Sequence, residues 1–167
     1  KMSKSLGNVI NPDEYMEQYG VDALRMGLIA GTATGKDFSF PKDKIVSYRN
    51  FGNKLWNMAR FFLLMQEKSG ITNLKFSNSQ MEGLTASDTD ILKKLNETIT
   101  SVDELLEKFR FAEAGDTIYH FMWDEVAAKY LEEIKTRADQ DVALPVLREI
   151  ILTGLKLVLI KITSGKH

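Results

Sequence analysis

The opening Lys1-Met2-Ser3-Lys4-Ser5 places two ammonium groups three residues apart, with hydroxyls between and beside them and Gly7 two positions on. Lysines neutralise a polyphosphate without demanding the paired geometry of a guanidinium. They suit a site where negative charge grows as a pyrophosphate leaves. The glycine lets such a loop move. Read as residue types alone, the same stretch serves equally as a solvated polar segment. Nothing else in the chain offers a nucleophile-base pair or a metal site. There are no cysteines, and His120 and His167 are far apart. The missing cysteines exclude disulfides and thiolate ligation and fit a reducing compartment.

A second group of chemistry-bearing residues lies between 42 and 68. Lys42, Lys44, Arg49, Lys54, Arg60 and Lys68 face only Asp43 and Glu67 there, although the whole chain has a net charge of −1. The segment 88–116 inverts the balance, so a near-neutral molecule is expected to carry one basic face. Arg49, Asn53, Trp56 and Arg60 step by four, three and four, which puts them on one stripe of a helix. Asn50, Lys54 and Asn57 form the adjacent stripe. Arginine and lysine suit phosphates, asparagine suits base edges or sugars, and tryptophan offers a stacking plane. The alternative is structural: the asparagines hold helix ends or loops, and Trp56 belongs to the core.

The elements that must hold these residues are helical. Asn11-Pro12-Asp13-Glu14 is a helix start, with Asn as N-cap, Pro at the first position and Glu three residues after the cap. That helix should stop near Gly20 and a second should run from Val21 to Ala30. Gly31 to Gly35 reads as a loop. Pro41 opens the longest element, Lys42 to Lys68. Its apolar seam is Tyr48, Phe51, Leu55, Met58, Phe62 and Met65, spaced by threes and fours. At ~1.5 Å per residue this helix reaches ~40 Å. A connector over 69–87 precedes a helix from Ser87 or Asp88, with its seam at Leu92, Leu95, Ile99, Val102, Leu106 and Phe109. A further helix is expected over Ala112–Arg137 and a last one over Val142–Ile160. Apart from a short extended piece at Leu74–Phe76 there is no period-two pattern. The fold class is therefore all-α, a helical bundle preceded by a short loop and helix pair. The expected division is 1–40, the loop and helix pair, and 41–167, the helical bundle. No apolar run reaches the ~18 residues of a membrane span. The acidic run Asp103–Glu107 reads as a solvated face.

The motif context goes further than the chemistry alone. Lys1-Met2-Ser3-Lys4-Ser5-Leu6-Gly7-Asn8, the Asn11-Pro12-Asp13-Glu14 turn and Tyr19-Gly20-Val21-Asp22-Ala23-Leu24-Arg25 resemble the second signature of class I aminoacyl-tRNA synthetases and the helix pair behind it. Gly31-Thr32-Ala33-Thr34-Gly35-Lys36-Asp37-Phe38, Arg49 to Asn57 and Phe121 to Val126 resemble the valyl branch. Ala128 and Lys129 stand where that branch often has acidic and aromatic residues. The resemblance implies that Lys1, Ser3, Lys4 and Ser5 bind ATP phosphates, with Lys4 and Lys1 the catalytic pair. It implies tRNA(Val) as partner, contacted through Arg49, Asn50, Asn53, Lys54, Asn57, Arg60 and Lys68. Anticodon contacts are expected near 67–75 and stem contacts near Arg49.

ATP, Mg2+ and valine would belong to the full-length, cytoplasmic, monomeric enzyme, with no membrane or DNA partner. The family's paired-histidine signature has no counterpart, so the chain reads as cut from a longer protein and as inactive alone. The competing readings are an isoleucyl-type enzyme, a helical protein-interaction module, and an autonomous ATP-dependent enzyme.

Overall fold

Every element in the computed structural model is a helix or a turn among the described residues, which are 3–6, 9–30, 42–72, 74 and 83–159. A single 3-10 turn, Lys4–Leu6, opens the chain. Helix α1, Pro12–Tyr19, starts as expected: the Asn11 side chain accepts from the Asp13 amide at 3.1 Å. Gly20, at φ 89°, ends α1 and seeds α2, Val21–Ile29, a conformation glycine adopts without a Cβ penalty. The loop expected at 31–35 lies outside the described residues.

Helix α3, Lys42–Ser69, is 28 residues long and spans about 42 Å. Phe51, Leu55, Met58 and Phe62 of its seam are buried, with Tyr48 and Met65 packed at its edges and Ile45 added at its start. Leu74 is buried in the same core; the rest of the extended piece expected there, 75–76, lies outside the described residues. Helix α4, Ala86–Glu107, begins in a capping box. The Thr85 hydroxyl accepts from the Asp88 amide, and the Asp88 carboxylate accepts from the Thr85 amide.

Two expectations for the second half are corrected. Phe109 is not part of the α4 seam. The helix stops at Glu107, and Phe109 sits in a left-handed turn, φ 56°, with its ring in solvent. Buried Ile91 and Thr98 flank Leu95, Val102 and Leu106 instead, so the seam is rotated from the expected one. The helix expected over 112–137 is not uniform either. It runs as α5, Phe111–His120, then a π-helical stretch, Phe121–Tyr130, then α6, Leu131–Ile134. Buried residues there come in pairs, Phe121/Met122, Val126/Ala127 and Tyr130/Leu131. A π-helical stretch is wider than an α-helix, at about 4.4 residues per turn, and the buried pairs recur here at intervals of five and four.

Helix α7, Gln140–Lys156, completes the core with Ala143 to Leu147, Ile150 and Ile151. The core forms where α3, α4, the π-helical stretch and α7 meet. A smaller cluster, Ala23, Leu24 and Ile45, fastens the helix pair to the start of α3. None of the helices described is long and apolar enough to cross a membrane.

Candidate nucleic-acid interface

The rigid α3 rod determines what its polar residues can do. Its apolar seam is buried, so the residues between seam positions must face outward. Arg49, Asn50, Asn53, Asn57, Arg60 and Lys68 are all exposed. Trp56 overturns the core expectation: it is 73% exposed. The cause is its position on the Arg49–Arg60 stripe, where helix phase outweighs the indole's preference for burial. Lys54 behaves differently from its neighbours. It is half-buried, and its ammonium lies 5.4 Å from the centre of the Trp123 ring.

That ring is part of an aromatic stack the sequence did not announce. Tyr119 and Trp123 stack at 5.6 Å and 10°, and Phe51 leans on Tyr119 at 4.9 Å. Tyr48 donates to Asp116 at 3.4 Å; burial, then the Asp116 charge, pushes its phenol far above the ordinary range. The stack brings α3, α5 and the π-helical stretch together beside the basic stripe. An aromatic spacing of four at Tyr119 and Trp123 was its available signal.

Ion pairs are unevenly distributed among the described residues: they crowd the stretch from α4 to Arg137, while none is found on α3 or at Arg25, Arg148 and Lys156. From α4 to Arg137 every lysine and arginine has a carboxylate partner. Lys93 pairs with Glu97, Lys94 with Asp90 and Glu125, Lys108 with Glu104, and Arg110 with Glu113. Lys129 pairs with Glu125, Lys135 with Glu132, and Arg137 with Asp88 and Asp139. Among the described residues no carboxylate pairs with Arg49, Lys54, Arg60 or Lys68. Unpaired, solvated guanidinium groups in a row are available to an anionic ligand.

Arg49, Asn53 and Trp56 also line a groove of about 570 Å³, closed on its other sides by Tyr19 and Val21 at the α1–α2 junction and by Leu155 and Leu159. Its polar side can hold phosphate or sugar and its apolar side a base. At the other end of the candidate set, Ser3 and Ser5 hydroxyls meet at 2.7 Å across the 3-10 turn. Lys1, and the side chain of Lys4, lie outside the described residues. No group of three or more His, Asp or Glu side chains that could hold a metal is found among the described residues.

Comparison with known proteins agrees with this architecture at three levels. Residues 1–41 match the family model "tRNA synthetases class I (I, L, M and V)", and residues 88–159 match "Anticodon-binding domain of tRNA ligase". The valine–tRNA ligase of Geobacillus kaustophilus is 42% identical over 135 residues, which cover 81% of this chain and 15% of that protein. The Enterococcus faecalis valine–tRNA ligase is 40% identical over 161 residues, covering 95% of this chain and 18% of the relative.

A LeuRS of Agrobacterium radiobacter K84, solved as a ternary complex with tRNA and LeuAMS, superposes with a TM-score of 0.67. It is 18% identical, over 97% of this chain and 20% of its own length, and so shares the fold. The chain thus spans under a fifth of the length of the relatives it matches. Motif, helical architecture and these matches together place the chain in the class I aminoacyl-tRNA synthetase family, in the stretch that carries the anticodon-binding domain.

Proposed function

We propose that this chain is the tRNA-docking part of a valine–tRNA ligase, and that the exposed face of α3 is where the RNA lies. The carrying observation is the contrast in pairing: from α4 to Arg137 the cations are neutralised in place, whereas Arg49, Arg60 and Lys68 are exposed along one helix with no carboxylate partner among the described residues. Arg49 and Arg60 take phosphates, Asn50, Asn53 and Asn57 take sugar or base edges, and Trp56 supplies a face for an unpaired base. Lys54 holds the Trp123 stack and reaches the RNA only from there.

The rod's length connects the two ends of the task. Its start adjoins α2, and its far end, Lys68, lies about 40 Å away, suited to the anticodon side. Residues 1–40 carry the ATP-side loop and the stem-contact helices, and 41–167 the bundle that meets the anticodon. In the full-length protein, Lys1, Ser3, Lys4 and Ser5 bind the phosphates of ATP. Mg2+ accompanies the nucleotide there. Valine is then passed to tRNA(Val), and the enzyme acts as a monomer in the cytoplasm.

Titration of the full-length protein with a tRNA(Val) transcript over a series of salt concentrations tests the reading. Changing Arg49 and Arg60 together to glutamine should weaken binding and flatten the plot of log affinity against log salt. Each lost phosphate contact removes about 0.7–0.9 of a unit of slope. Trp56→Ala should weaken binding by about 1–3 kcal/mol with the slope unchanged, since stacking releases no counterions. An affinity and slope that ignore all three changes would leave the stripe without a role in RNA binding.

A further inference from the structure

We propose that the turn between α4 and α5 is a docking knob: the rings of Phe109 and Phe111 insert into an apolar pocket on the catalytic portion of the same, longer polypeptide. Phe109 is the non-glycine residue with positive φ among the described residues, at 56°. A bulky side chain in the left-handed region costs about 1–2 kcal/mol, and such strain concentrates at functional positions. Backbone hydrogen bonds hold it there, from the Phe109 amide to the Leu106 carbonyl at 3.0 Å and from the Arg110 amide to the Leu105 carbonyl at 2.8 Å. Glycine or asparagine would make the same turn without strain. The ring gains little burial in return: it is 67% exposed, and Phe111, set edge-to-face with it at 6.1 Å, is 41% exposed.

The surrounding charge selects the partner. Lys108 and Arg110 are each paired within the turn, to Glu104 and Glu113, and Glu107 adds a further carboxylate. No cation is left for a phosphate backbone. An apolar centre ringed by paired charges of both signs has instead the make-up of a protein interface.

Position identifies which protein surface. One turn along α5 from Phe111, Gly115 packs against Met26 and Ala30 of the α2 end, where an added Cβ would meet them at 3.7 and 3.8 Å. Residues 1–41, which include α2, are the stretch matched to the class I synthetase model, and more than four-fifths of each relative lies outside this chain. The two rings therefore extend an existing contact with that part of the polypeptide. The inference rests on family membership and not on the RNA face of α3.

Hydroxyl-radical footprinting of the full-length enzyme, read by mass spectrometry at Phe109 and Phe111, tests it. Oxidation of both rings should be nearly abolished relative to urea-unfolded enzyme, before tRNA is added and at every enzyme concentration. Phe109→Asn, which suits the left-handed turn, should restore oxidation of Phe111. Reactivity equal to the unfolded enzyme overturns the proposal. So does protection that appears only with tRNA, which makes RNA the occupant, or only at high concentration, which makes it a second copy. A Phe111 unmoved by Phe109→Asn also overturns it.

Discussion

Lys4 carries the ATP side of the proposal, and its effect must be separable from that of α3. An ammonium group matters to pyrophosphate release because the negative charge it meets is greater in the transition state than in bound ATP. In the full-length enzyme, Lys4→Ala should slow valine-dependent pyrophosphate exchange by about 10²–10³, the usual loss for one well-placed charge-stabilising donor. The affinity for tRNA should stay level, because Arg49 and Arg60, the cations proposed to meet the RNA, belong to a different element. An exchange rate equal to that of the unaltered enzyme would remove Lys4 from the chemistry. Trp56 teaches the complementary lesson. Residue type argued for the core and helix phase argued for the surface, and phase prevailed because α3 has a complete apolar seam without it.

At the level of elements, the join between the helix pair and the rod is the position least tolerant of change. Gly27 faces Ile45, the side chain that begins the α3 seam; an added Cβ would stand 2.7 Å from Ile45 Cγ1. Ile45 is fully buried and has no room to yield. Gly27→Val should therefore force α2 away from α3 and destabilise the chain by about 1–3 kcal/mol, the usual cost of overpacking. A melting temperature equal to that of the original protein would show that the join is looser than it looks.

Seam spacing and caps made α1, α2 and α3 legible, with boundaries within about two residues, because local signals such as the Asn11 cap and Gly20 end the first helices. Helix α7 was legible too, but it ends at Lys156, four residues before the expected Ile160. The π-helical stretch was not legible. Its period departs from 3.6 to suit paired core contacts from other helices, a tertiary cause with no local signature. The exposed stripe of Arg49, Asn53 and Arg60 was legible for the reason the seam was. The Trp123 seat of Lys54 was not, because it joins residues 69 positions apart.

Across the whole molecule, long-range cohesion converges on one carboxylate. Asp88 is fully buried at the start of α4, yet it is tied to the other end of the sequence. It accepts from Arg137 at 2.5 and 2.9 Å, from the Tyr130 hydroxyl at 2.6 Å and from Thr85 at 2.8 and 2.9 Å. Arg137 in turn donates to Asp139, just before α7. One group thus clamps α4, the π-helical stretch and the α6–α7 turn. Burial pushes the Asp88 pKa up, but the hydrogen bonds from Arg137, Tyr130 and Thr85 outweigh it and hold the carboxyl at about 2, below the ordinary 3.8.

A folded-state pKa below the unfolded one means the unfolded chain binds the proton more tightly. The clamp's contribution is therefore complete above about pH 4 and drains away as pH falls towards 2. Its size is roughly 2 kcal/mol, or about 4–8 °C of melting temperature for a chain of this length. Thermal unfolding followed by helical circular dichroism should show that fall between pH 5 and pH 2. Asp88→Asn should melt lower at neutral pH, because the nearly buried Arg137 keeps only Asp139 as a charged partner. Its melting temperature should also change less across the acid window, since the titrating group has gone. Parallel acid profiles for the two proteins would mean that acid sensitivity resides in other carboxylates, and that Asp88 secures the bundle by shape alone.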